Sequence, residues 1–259
     1  MKSRPKKTVK QKRVNPISTL DVYPMRINKY LAHKGVATRT GVDDLIKSSK
    51  VLINGVVAKL GDKVSESDKV EVRGIHSKKT YVYLAYNKPK GTVSTNPQRD
   101  EKDIMQSLKS LPKSDFGKGI FPVGRIDKES HGLMILTNDG RITDRLLNPI
   151  YNHEKEYAVK VDRAFTPGFL RNMQDGVNLE DGVTKPAIVK KIKEDTFSIT
   201  LTEGRNRQIR RMTEKLGYTV RDLERIRIQN IKLEKTPENS AREITGNEKI
   251  EFLKGIGLE

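Results

Sequence analysis

The sequence predicts an α+β protein in two unequal units, and three observations carry that expectation. Between residues 25 and 73, two short helical patterns precede an Asn54-Gly55 turn set between apolar residues. Beyond residue 81, strand patterns recur at 81–86, 156–162, 187–193 and 196–202. Helix signals fall between them, among them Thr166-Pro167, a cap residue followed by a proline at the first helical position.

In chain order, residues 1–22 carry seven basic side chains (Lys2, Arg4, Lys6, Lys7, Lys10, Lys12, Arg13) and no acid before Asp21. Low hydrophobicity with charge of one sign predicts a disordered arm. Residues 23–75 form the first unit. Ile27, Tyr30 and Leu31 recur at helical spacing, and Gly35 stands where a glycine would stop that helix. Val42, Leu45 and Ile46 mark a second helix. Val51-Leu52-Ile53-Asn54-Gly55-Val56-Val57 is a hairpin, its Asn-Gly supplying the positive φ angles of a tight turn, and residues 69–72 add a strand.

Residues 76–80 are a polar linker, and 81–259 the larger unit. A strand at 81–86 leads into the turn-rich Asn87-Lys88-Pro89-Lys90-Gly91. Ile104, Met105, Leu108 and Leu111 predict a helix, and 120–123 a strand. The apolar run 133–136, between Gly132 and Asn138-Asp139-Gly140, reads as a strand buried on both faces. In 156–162, Tyr157, Val159 and Val161 alternate with Glu156, Ala158 and Lys160; 187–193 and 196–202 form a hairpin.

Composition narrows the function. The chain has 259 residues, 34% hydrophobic and 32% charged, with 51 Lys and Arg against 33 Asp and Glu, a net charge of +18. Such an excess points to a polyanion, nucleic acid first. No apolar stretch is long enough to span a bilayer, and no membrane association is expected. The absence of cysteine excludes disulfides, thiolate metal sites and thiol catalysis. Four scattered histidines give no metal-ligand spacing, and no phosphate-binding Gly-x4-Gly-Lys-Ser/Thr loop is present. Neither a metal, a nucleotide nor any other cofactor is expected. The basic start lacks the apolar core of a secretory signal, so a cytoplasmic protein is expected.

Two constellations carry chemistry. In Gly124-Arg125-Ile126-Asp127-Lys128-Glu129-Ser130-His131-Gly132, a carboxylate sits in a loop against the buried strand after it. For an isolated Asp in such a place, capping of backbone amides is the ordinary role. In Glu203-Gly204-Arg205-Asn206-Arg207-Gln208-Ile209-Arg210-Arg211-Met212, Ile209, Met212 and Leu216 fall in one stripe at about 100° per residue. Arg207, Arg210, Arg211 and Glu214 fall opposite, which predicts a helix presenting three guanidinium groups outward, suited to phosphate or carboxylate.

The first constellation resembles the catalytic motif of the RsuA/RluB/RluE/RluF family of RNA pseudouridine synthases: Gly-Arg-Leu-Asp, a few polar residues, Gly-Leu, apolar residues, then Thr-Asn. Ile126 here replaces the commoner leucine. Gly-Arg-x-x-Gln-Ile-Arg in the second matches the family's third motif. Residues 25–73 resemble the α-L RNA-binding domain of a small-subunit ribosomal protein. The segments His153-Glu154-Lys155-Glu156-Tyr157, Leu223-Glu224-Arg225-Ile226-Arg227-Ile228 and Ala241-Arg242-Glu243-Ile244 extend the likeness, closest to the RluF branch.

The resemblance implies a small α-L domain followed by a catalytic domain on a mixed, mainly antiparallel β-sheet flanked by helices. It implies Asp127 as catalytic carboxylate, Arg210 as its partner, Tyr157 stacking under the target base and Ile209 packing beside it. RNA contacts are expected from Arg26, Lys29, Lys34 and Arg39 in the first unit and from Lys88, Arg125, Arg205, Arg207 and Arg211 in the second. The implied reaction is uridine to pseudouridine in a hairpin of 23S ribosomal RNA, with transfer RNA possible, by a monomer.

The chemistry suits these residues. Isomerisation oxidises nothing and loses nothing, and asks for an ionised carboxylate beside the sugar. Burial under RNA favours a neutral carboxyl, and a guanidinium within roughly 4 Å opposes that. Flipping the base out costs a few kcal/mol, and stacking on an aromatic ring returns about 1–3 kcal/mol. A non-catalytic RNA-binding or ribosome-assembly protein is the competing reading, but it needs no set of Asp127, Tyr157 and Arg210. A glycoside hydrolase would want a second carboxylate flanking the bond, for which Glu129 is a poor candidate. His131 is expected at the surface.

Overall fold

The computed structural model describes residues 23–74, 80–94, 97, 101–108 and 119–258. The basic arm, most of the linker and Leu111 lie outside the described residues.

In the first unit, β1 (Met25–Arg26) leads into α1 (Ile27–His33) and α2 (Arg39–Lys47). Thr38 caps α2 by accepting from the Gly41 amide at 3.1 Å. Asn54 and Gly55, at φ 51° and 81°, turn β2 (Val51–Ile53) into β3 (Val56–Val57), as expected. β4 (Lys63–Val64) pairs with β1, and β5 (Val70–Val72) with β2. Ile27, Leu31, Val42, Ile46, Val51 and Val64 fill its core.

The second unit contains β6 (Tyr83–Lys88), α3 (Ile104–Leu108), β7 (Phe121–Val123), β8 (His131–Thr137), α4 (Ile142–Leu147) and β9 (Lys155–Val161). Next come α5 (Pro167–Asp175), the short pair β10 (Asn178–Leu179) and β11 (Gly182–Val183), and the hairpin β12 (Ile188–Lys193) and β13 (Thr196–Leu201). The chain ends in α6 (Gln208–Lys215), β14 (Val220–Ile228), β15 (Ile231–Lys232), β16 (Ala241–Glu243) and α7 (Gly246–Gly255). The main sheet runs β12-β13-β9-β14-β8-β6-β16, with β15 on β14 and β7 on β8. Every pairing in it is antiparallel except β14 with β8. The sheet is thus mixed and mainly antiparallel, as the sequence resemblance implied.

β8 is buried on both faces. Leu133 and Ile135 pack with Tyr83, Ile142, Ile231 and Phe252, while Met134 and Leu136 pack with Leu84, Tyr86 and Ile104. A second large core lies where α5 and α6 cover β9 and β13, around Phe169, Met173, Phe197, Ile199 and Met212.

The two halves meet at the single parallel pairing, where Arg225 stands opposite Gly132. Gly132 has φ +98°, and a Cβ there would lie 2.5 Å from the Arg225 carbonyl oxygen and 2.8 Å from its nitrogen. Only glycine lets β14 approach this closely. We expect Gly132→Ala to lower stability by about 1–3 kcal/mol, read as a lower urea midpoint for the full chain.

Candidate active site

The loop between β7 and β8 carries Asp127 to the wall of a pocket of about 680 Å³. The loop is fixed through its backbone. The Ser130 amide donates to the Asp127 carbonyl at 3.0 Å, closing a turn. Ser94 brackets the other side: its hydroxyl donates to the Ile126 carbonyl at 2.8 Å and accepts from the Ile126 amide at 3.2 Å. The Gly91 amide donates to the Lys128 carbonyl at 2.9 Å.

Beneath the turn sits Lys88, 0% exposed. Its amine donates to the carbonyls of Pro89 (2.9 Å), Lys128 (3.4 Å) and Ser130 (2.7 Å). Lys88 was expected to contact RNA; the structure corrects this, because an enclosed amine with three acceptors has nothing left to offer a phosphate. Burial, and next the charge of Arg225, push the Lys88 amine down to about 8.

Two guanidinium groups reach the carboxylate. Arg207 Nη1 and Arg210 Nε each lie 3.8 Å from Asp127 Oδ2. They differ in setting. The Arg207 side chain is 50% exposed, whereas that of Arg210 is 15% exposed. Arg210 also donates to the Glu129 carbonyl (3.2 Å) and the Ser130 hydroxyl (3.1 Å), so it grips the turn as well as the acid. Burial, and then neighbouring Arg207, lower the Arg210 guanidinium from its ordinary value.

The expected three-arginine outward face is not what forms. Arg207 precedes α6 in a left-handed conformation, φ 46°. Gln208 sustains that bend, its side chain accepting from the Arg205 amide (3.1 Å) and donating to Glu203 (2.8 Å). Arg211 makes a two-pronged pair with Asp181, at 2.9 and 3.1 Å. Arg205 donates to the carbonyls of Asp181, Gly182 and Val183. Arg205 and Arg211 were expected on RNA; both are instead spent tying the β10-β11 hairpin to the arginine loop.

Tyr157 and Ile209 both line the pocket with Asp127, as does exposed Arg125. Ile209 is 4% exposed. In the first unit Arg26, Lys34 and Arg39 are exposed and Lys29 is half-buried. His131, expected at the surface, is partly exposed and lines the pocket: its side chain is 21% exposed and Nε2 lies 3.2 Å from both Asp222 oxygens. The sequence reading missed Ser94, Lys155 and Arg225. A signal existed for Lys155, which lies two residues before Tyr157 and so on the same face of the strand. Among the described residues no group of three or more His, Asp or Glu is placed to hold a metal ion.

The Asp127 carboxylate is flanked by two guanidinium groups, and Tyr157 lines the same opening. The arrangement suits attack on, or proton removal from, a nucleotide held against the pocket.

Comparison with known proteins gives matches for both units. Residues 82–215 match the model of the RNA pseudouridylate synthase family, and residues 25–70 that of the S4 domain. The chain is 40% identical over 236 residues to the dual-specificity RNA pseudouridine synthase RluF of Escherichia coli K12, covering 90% of this chain and 79% of that protein. It is 37% identical over 232 residues to ribosomal large subunit pseudouridine synthase B of Bacillus subtilis 168, covering 86% and 93% respectively. A crystal structure of a pseudouridylate synthase superposes with a TM-score of 0.64 at 26% identity, over 90% of this chain and 99% of that one.

The cations lead to two measurable outcomes. Between pH about 8 and the ordinary lysine value of 10.5, the unfolded chain binds more protons at Lys88 than the folded chain does, so this site makes stability rise with pH across that window. Urea titrations at several pH values should show a shallower rise in Lys88→Met. Arg210→Lys should lower single-turnover rate by about 10²-fold, because an ammonium cannot hold the turn and the acid together. Arg207→Lys should cost about tenfold or less, its side chain being exposed and free of the turn.

Proposed function

The chain belongs to the RNA pseudouridylate synthase family, with an S4 domain ahead of the catalytic unit, and on that footing we propose that it acts at Asp127 on a uridine of large-subunit (23S) ribosomal RNA, with transfer RNA as a second substrate. It is an RNA pseudouridine synthase and binds RNA.

The observation that carries the assignment of the site is the convergence of Arg207 and Arg210 on one oxygen of Asp127 at the wall of the pocket that Tyr157 also lines. In this reading the target uridine leaves its stack, lies on Tyr157 beside Ile209, and brings its ribose to the Asp127 carboxylate. The C1′–N1 bond breaks, the ring turns, C1′ bonds to C5, and the ring loses its C5 proton and takes one up at N1. Product and substrate are isomers, so no oxidant or co-substrate enters.

Ribosomal RNA is favoured by the large-subunit name of one relative, and a second substrate by the dual-specificity name of the other. Arg125 and Arg207 at the rim, with Arg26, Lys34 and Arg39 on the S4 unit, are exposed and suited to phosphates. The domain layout in this reading is an arm at 1–22, an RNA-binding unit at 23–75, a linker at 76–80 and a catalytic unit at 81–259. The protein works as a monomer in the cytoplasm. Among the described residues no helix is long and apolar enough to cross a membrane.

The test is a pseudouridine map of ribosomal and transfer RNA from cells with the wild-type gene, without it, and with Asp127→Asn. The expected result is the same mark lost in both altered strains. A mark that Asp127→Asn restores would remove Asp127 from the centre.

A further inference from the structure

Arg225 stands opposite Tyr157 where β14 pairs with β9, and Lys155 lies two residues along β9 on the same face. Both line the pocket. Among the described residues, neither forms an ion pair with an acid. The acids beside Lys155 in sequence, Glu154 and Glu156, are held by Arg227 at 2.9 and 2.7 Å. Arg225 is 3% exposed; its Nε donates to the Leu133 carbonyl at 2.6 Å, and its buried Nη2 has no hydrogen-bond partner among the described residues. The Lys155 amine has the His153 carbonyl at 3.4 Å, a long contact for a charged donor.

A buried guanidinium nitrogen with no acceptor is costly, and an adjacent second cation raises that cost. Burial, then Arg225, lower the Lys155 amine to about 8, as expected of a cation without a counter-charge. Such a pair is stabilised only when something negative arrives. A phosphate is the less suitable visitor, because Arg225 is almost wholly enclosed, whereas Arg125 and Arg207, which line the same pocket, are exposed and better suited to one.

The reaction itself creates an anion there. When C1′–N1 breaks, the bonding pair stays on the uracil ring and spreads over N1 and the two carbonyl oxygens. The charge is discharged when C5 bonds to C1′; the ring then gives up its C5 proton and takes one up at N1. We propose that Lys155 and Arg225 form a charge-stabilising pair that holds the detached uracil anion through a ring carbonyl while it turns between the two bonds. This rests on the reading of the pocket as the synthase site. Donors fixed in advance where charge develops are the strongest single device available to an enzyme, and Tyr157 between them keeps the ring in plane.

The test uses the full chain under single-turnover conditions, with RNA carrying either uridine or 5-fluorouridine at the mapped position. Fluorine draws charge from the ring and makes it a better leaving group, so it needs less help from the protein. Lys155→Met should slow consumption of the uridine by about 10²-fold with RNA Kd within about twofold. The defect should shrink to about tenfold or less on 5-fluorouridine, and Lys155→Arg should restore most of the rate. Arg225→Gln should follow the same pattern. Equal losses on both RNAs would assign the pair a structural role. A weaker Kd with a shallower salt dependence would assign it to a phosphate. Either result overturns the proposal, as does an unimpaired Lys155→Met. A wild-type protein that makes no pseudouridine would instead overturn the reading of the pocket.

Discussion

Everything at the pocket depends on a lysine that never meets solvent. The Lys88 amine holds the carbonyls of Lys128 and Ser130 from below, and Arg210 holds Glu129 and Ser130 from the side. Between them the backbone from 128 to 130 has no freedom to swing, and Asp127 is placed by the three residues on its C-terminal side. Enclosing a cation is costly unless its donors are filled. Here three carbonyls fill them, and the same contacts that relieve the charge orient the acid.

The surrounding electrostatics are lopsided. Arg207 and Arg210 flank the Asp127 carboxylate, Lys88 lies under its turn, and Lys155 and Arg225 line the same pocket; Lys88 and Lys155 are depressed towards neutrality by burial and by Arg225. Among the described residues only two acids line the pocket, Asp127 and Glu203, and Glu203 is held by Gln208 and Arg205, so the site is built to receive negative charge. In the proposed reading the RNA backbone supplies that charge outside the pocket and the chemistry supplies it inside.

Much of this was legible in the sequence. The run from Gly132 to Asn138-Asp139-Gly140 announced β8, because a short apolar stretch between turn residues has few other ways to fold. Asn54-Gly55 announced its hairpin for an equally local reason. Asp127, Tyr157, Ile209 and Arg210 were found through resemblance to a family; the structure brings the first three to one pocket and sets Arg210, which does not line it, 3.8 Å from the Asp127 carboxylate. What was not legible is long-range. In Asn87-Lys88-Pro89-Lys90-Gly91, Lys88 looks like any basic turn residue, and only the fold brings carbonyls forty residues distant over it. Arg205 and Arg211 looked available because Asp181 is far away in sequence. Arg207 escaped the helix it was assigned to because side chains of Glu203 and Gln208 stabilise a bend that periodicity cannot register. Lys155 and Arg225 meet only through the register of β9 and β14.

At the far end of β8, the fully buried Asp139 takes both prongs of Arg141 at 2.8 Å and the Tyr83 hydroxyl at 2.6 Å. The Arg141 guanidinium lies 4.2 Å from the centre of the Tyr81 ring, whose hydroxyl donates to the Gly35 carbonyl of the S4 unit at 3.0 Å. The joint between the units therefore sits at one end of β8 and the Asp127 turn at the other. Seven residues of extended chain separate them, about 20 Å. That strand acts as a ruler. An RNA gripped at both ends must offer its reactive nucleotide at a set distance from its second hold, and selection among uridines becomes in part a measurement of length.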